Sequence, residues 1–135
     1  MNADIRWKQR FEHYTQAVNH LKEAVEQPNL DRLQKAGMIQ FFEMCSDLSW
    51  KLLKDYLEEQ SYNDVATPRA AIKQAFNADI IKDGHAWMDL LSDRNLTSHV
   101  YDEVAINQIL TLIREKYYPM FNDLYLTFNE FNNAK

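Results

Sequence analysis

A chain of 135 residues, 46% hydrophobic and 26% charged, is long enough to bury a sizeable core, and a single domain over residues 1–135 is the expectation. Two glycines and three prolines leave few turns, which argues against sandwiches, barrels and glycine-rich folds and favours long periodic segments. The net charge of −5 opposes long-range attraction to nucleic acid, and a single cysteine, Cys45, permits neither an intramolecular disulfide nor a thiolate metal cluster.

The first element carries Trp7, Phe11, Tyr14, Val18, Leu21 and Val25 at gaps of 4, 3, 4, 3 and 4, the stripe of a bundle helix that Pro28 ends. A longer helix is predicted from Leu30 to about Gln60. Its stripe is Leu33, Gly37, Phe41, Met44, Leu48 and Leu52, widened by Phe42, Cys45 and Leu53. Thr67-Pro68, a capping residue before a first-turn proline, opens a short helix to about Asn77. After a turn at Asp83-Gly84, the residues Ala86, Trp87, Leu90 and Leu91 form a compact helical stripe reaching Arg94.

The stretch Asn95 to Asp102 lacks helical period and is expected to be irregular. From Glu103 the residues Ile106, Ile109, Ile113, Tyr117, Met120, Leu124, Phe128 and Phe131 describe a last long helix. Pro119 should kink it, because an interior proline removes one hydrogen bond and clashes with the preceding turn. The tail from Asn132 is expected to fray. The fold class is therefore all-α, an antiparallel four-helix bundle with an additional short helix. Met1 to Arg10 shows no signal-peptide core and no apolar run is long enough for a membrane span, so a cytoplasmic protein without membrane contact is expected.

Chemistry-bearing patterns are few. Isolated Gly37 and Gly84 cannot build a phosphate-cradling loop. No glutamate stands three residues before any of the four histidines, and His13 and His20, seven residues apart, have no third ligand, so no metal or other cofactor is assigned. Cys45 lies on an apolar helix face, where a thiol is inert packing.

One stretch differs, Asp93-Arg94-Asn95-Leu96-Thr97-Ser98-His99-Val100-Tyr101-Asp102-Glu103, which crowds a permanent cation, an imidazole and a phenol into the junction without helical period. A purely structural account has Arg94 paired with Asp93, Asp102 or Glu103, Thr97 or Ser98 capping the last helix, and Tyr101 packing.

Arg94 followed by Asn95, then His99 and Tyr101, resembles the Arg-x-x-x-x-His motif of the HEPN superfamily. Ile39-Gln40-Phe41-Phe42-Glu43, Trp50 to Asp55, Thr67-Pro68-Arg69, Ile80 to Gly84 and Trp87 to Asn95 are similar to the nucleotidyltransferase substrate-binding proteins within it. Phe41 departs from the basic residue common at that place. The resemblance implies a helical bundle, dimeric and also hetero-oligomeric, in complex with a minimal nucleotidyltransferase. Some relatives are toxins of toxin and antitoxin pairs with metal-independent ribonuclease activity, silenced by adenylylation of the motif tyrosine.

Carried onto this chain, the resemblance assigns Arg94, His99 and Asn95 to catalysis on RNA and Tyr101 to modification. A noncatalytic adaptor that presents a substrate, or Tyr101 itself, to the nucleotidyltransferase is the competing reading.

Overall fold

The structure, a computed structural model, describes residues 3–99 and 102–134; the side chains of Ala3, Asp4 and His99 also lie outside the description. Its helices are α1 (Ala3–Val25), α2 (Arg32–Glu59), α3 (Pro68–Asn77), α4 (Gly84–Asp93), α5 (Glu103–Leu112) and α6 (Tyr118–Asn133). A 3-10 turn, Arg94–His99, follows α4, and a π-helical turn, Ile113–Tyr117, joins α5 to α6 in one continuous run. No strand occurs among the described residues.

Local chemistry sets the helix starts. Asp31 caps α2 in a reciprocal box with Gln34, Thr67 accepts from the Ala70 amide ahead of Pro68, and Asp83 accepts from the Ala86 amide so that α4 begins at Gly84. Asp102 caps α5 through the Ala105 amide, so the cap expected of Thr97 or Ser98 belongs to a residue further on. The aspartate stands directly before the first helical residue, where its carboxylate reaches the orphan amides of the first turn.

Ring contacts give the helix directions. Trp7 meets Phe128 and Phe11 meets Tyr125, so α1 runs antiparallel to the α5–α6 run. Phe42 meets Tyr117 and Tyr56 meets Phe131, so α2 runs parallel to it. Trp87 meets Phe121 while Asp93 meets Tyr117, so α4 runs antiparallel. These four form the antiparallel bundle, and α3 is the additional short helix, packed between α2 and α4.

The core is aromatic. Phe128 alone touches the rings of Trp7, Phe11, Tyr56 and Phe131. Buried Tyr14 donates its hydroxyl to the Phe121 carbonyl at 2.7 Å, satisfying both groups away from water. Arg10 reaches buried Asp55 at 3.0 Å and ties α1 to α2.

Three further expectations are corrected. The buried face of α2 carries Met38, Phe42, Cys45, Ser49, Leu52 and Leu57, whereas Leu33 is 81% exposed and Met44 lies at the surface. Two apolar lines run along this helix, and the neighbours cover the one holding Phe42. Asn95 to His99 continues α4 as a 3-10 helix, whose period of three matches neither the helical nor the strand template. The last helix extends through Asn133 rather than fraying at Asn132.

Pro119, where a kink was expected, sits in the first turn of α6 directly after the π turn. There the Tyr118 amide donates five residues back to the Ile113 carbonyl, which widens the helix next to the proline ring.

Candidate functional site

The 3-10 turn is held between two elements. Arg94 ends α4 with helical backbone angles, and its own carbonyl lies 2.8 Å from the Thr97 hydroxyl, three residues on. The same hydroxyl lies 3.1 Å from Glu43 Oε2 on α2. With one proton to donate, Thr97 shares it between the turn's first carbonyl and a neighbouring helix.

Glu43 belongs to a stripe on α2 at helical spacing with Arg32, Lys35, Ala36 and Ile39. The other four line a cleft of about 220 Å³, completed by Thr97, Glu103 and Ile106. Lys35 Nζ reaches Glu103 Oε1 at 3.0 Å across that cleft, pinning the start of α2 to the start of α5.

Arg94 is half-buried and Asn95 exposed. Each of the three carboxylates that the structural account offered to Arg94 holds a different partner. Asp93 accepts from the Tyr117 hydroxyl, Asp102 from the Ala105 amide, and Glu103 from Lys35. Arg94 itself has no ion pair among the described residues. The backbone of His99 closes the 3-10 turn five residues after Arg94, its side chain being outside the described residues. Tyr101 also lies outside them.

The π turn packs against the end of α4 that carries this region. Arg114 donates to the Val25 and Gln27 carbonyls at 2.8 and 3.2 Å, satisfying orphan groups at the end of α1. Lys116 meets Asp89 at 2.9 Å, and Tyr117 bonds Asp93. Burial, with the Asp93 carboxylate beside it, pushes the Tyr117 phenol far above its ordinary range, so it is a proton donor at neutral pH.

Sequence reasoning assigned no role to Glu43, Tyr117 or the α2 stripe. The signal for Glu43 was its place in the Gln-Phe-Phe-Glu segment, while Tyr117 read only as one more apolar stripe position.

The other singled-out residues remain outside the site. His13 and His20 are exposed, and His20 stacks on Phe41 with ring centres 5.2 Å apart. His85 lines a larger cleft of about 560 Å³ with Phe76, Lys82 and Met88, at the start of α4 rather than its end. Among the described residues, no three His, Cys, Asp or Glu side chains converge as metal ligands, and no helix is long and apolar enough to cross a membrane.

The family described as nucleotidyltransferase substrate binding protein like matches residues 9–130. A probable ribonuclease HepT of Haemophilus influenzae is 33% identical over 72 residues, 50% of this chain and 49% of that protein, so the match spans about half the length of each. A crystal structure of a Thermus thermophilus protein aligns with a TM-score of 0.74 at 24% identity, covering 90% of this chain and 99% of that one, and shows the same fold. With the match running from α1 nearly to the end of α6, the chain belongs to the nucleotidyltransferase substrate binding protein-like family, the HEPN group its sequence resembles.

Proposed function

We propose that this protein is a single helical domain that works with a minimal nucleotidyltransferase and cleaves RNA without a metal, its activity controlled by adenylylation of Tyr101. The observation that carries the reading is the guanidinium of Arg94, half-buried on the 3-10 turn while Asp93, Asp102 and Glu103 are each held by another donor. A guanidinium with no ion pair among the described residues suits an external anion, and its planar fork matches a phosphate. The partial match to a probable ribonuclease HepT supports the same chemistry.

In the proposed reaction Arg94 holds the scissile phosphate and stabilises charge growing on its oxygens. The ribose 2′-hydroxyl attacks phosphorus, forming the bond of a 2′,3′-cyclic phosphate as the bond to the 5′-oxygen breaks. His99 takes the proton from the 2′-hydroxyl and passes it to the leaving 5′-oxygen, which departs as a hydroxyl, a task imidazole suits near neutral pH. Asn95 orients these groups, and two junctions facing each other in a homodimer form one composite cleft. Adenylylation joins the Tyr101 oxygen to the α-phosphorus of ATP with loss of pyrophosphate, and the added nucleotide then blocks phosphate from Arg94.

The test incubates purified protein with mixed RNA and chelator, beside Arg94→Ala and His99→Ala variants whose folding is verified by circular dichroism. Cleavage ending in cyclic phosphates, lost in both folded variants, is expected. Intact-mass analysis with the nucleotidyltransferase and ATP should show a gain that Tyr101→Phe abolishes. The net charge of −5 favours a second reading, a noncatalytic adaptor; wild-type protein of unmodified mass that cleaves no RNA class would establish it.

A further inference from the structure

We infer that Tyr117 is a positioning residue whose hydroxyl holds Asp93 away from Arg94 and so keeps the guanidinium free for phosphate. The inference rests on the proposed role of Arg94 and adds the group that regulates its availability.

Asp93 is the carboxylate tethered next to Arg94, and any internal anion that captured the guanidinium would compete directly with a substrate phosphate. Adjacent residues of a helix point about 100° apart, so such a pair forms only if the carboxylate is free to swing. Tyr117 removes that freedom by bonding Asp93 Oδ2 from the last helix, 24 residues along the chain.

The phenol is well chosen for the task. It is 1% exposed, and burial holds it protonated, so it remains a donor throughout the neutral range. A neutral donor also satisfies Asp93 while leaving its charge in place, so the carboxylate stays attractive to Arg94 and its restraint depends on the bond. The π turn fixes the donor: Arg114 on the end of α1 and Lys116 on Asp89 hold the register of the turn that ends at Tyr117.

Tyr117→Phe keeps the ring and removes only the hydroxyl, and Tyr117→Phe/Asp93→Asn also removes the competing charge. Anisotropy with a fully 2′-O-methyl RNA oligonucleotide, which cannot be cleaved, reads phosphate binding, and thermal melts verify each fold. Tyr117→Phe is expected to weaken binding about tenfold, the scale of one charge-assisted hydrogen bond, and the double variant to return to within about twofold of wild type.

A second readout does not depend on RNA. The Nε–H resonance of Arg94, identified by its loss in Arg94→Lys, should move downfield and exchange more slowly in Tyr117→Phe, and return in the double variant. Wild-type protein that fails to bind the oligonucleotide would end the phosphate reading of Arg94 and leave the resonance to decide the role of Tyr117. An unmoved resonance in Tyr117→Phe, or a double variant that stays like the single one, would overturn the inference, since a merely structural tyrosine gives no rescue.

Discussion

The Thr97 hydroxyl sits between the Arg94 carbonyl and Glu43 Oε2 and so bonds the 3-10 turn to α2. Valine has the same shape but no donor. Thr97→Val leaves the half-buried Glu43 carboxylate without that donor, and urea denaturation should show a loss of about 1 kcal/mol, with a larger effect on any Arg94-dependent binding than on overall stability. The contrasting residue is Cys45, which burial pushes up from its ordinary range. Its thiol is fully covered, so a thiol reagent at pH 8 should label it only after denaturant is added. The sequence marked Arg94 and Asn95 through their pattern and Cys45 through the apolar face around it. Glu43 stood in the Gln-Phe-Phe-Glu segment without a role, since a single glutamate on a helix face looks like any solvated charge until a second element brings a donor to it.

At the scale of the element, the π turn and Pro119 form one feature. An interior proline costs about 3 kcal/mol where the helix must both lose a bond and absorb a clash. Here the i to i−5 bond from Tyr118 to Ile113 has already widened the helix, and the ring sits exposed in the first turn beyond it. Pro119→Ala should therefore change stability by less than about 1 kcal/mol, measured by chemical denaturation, rather than recovering the full penalty. The turn is kept by what its residues hold: the end of α1, Asp89 and Asp93. Proline and the apolar stripe were both legible in the sequence, yet a π turn was not, because one extra residue in a turn barely disturbs the spacing of the stripe. The 3-10 turn escaped for the opposite reason, its period of three matching no helical or strand template.

For the whole molecule, the buried acids of the core set the response to alkali. Burial raises Tyr14, Cys45 and Tyr117 above their ordinary values, so the folded chain keeps their protons at pH values where the unfolded chain releases them. Their contribution to stability is fully present below the unfolded values, about 8.5 for the thiol and 10 for the phenols, and is lost as pH rises beyond them. Melting temperature should accordingly fall from about pH 8.5 upward, and Cys45→Ala should delay the onset of that fall towards pH 10. What the sequence determined by itself is the helix inventory: stripes at gaps of three and four, a cap at Thr67, a turn at Asp83-Gly84, and only two glycines and three prolines to interrupt them leave no other period for the chain to adopt. Tertiary packing alone decided which of two apolar lines on α2 faces inward, where the π turn lies, and that Asp93, Asp102 and Glu103 answer to Tyr117, a backbone amide and Lys35 instead of Arg94. Periodicity is a property of neighbours along one helix, whereas the partner of a charge is chosen among groups that only the assembled bundle brings within reach.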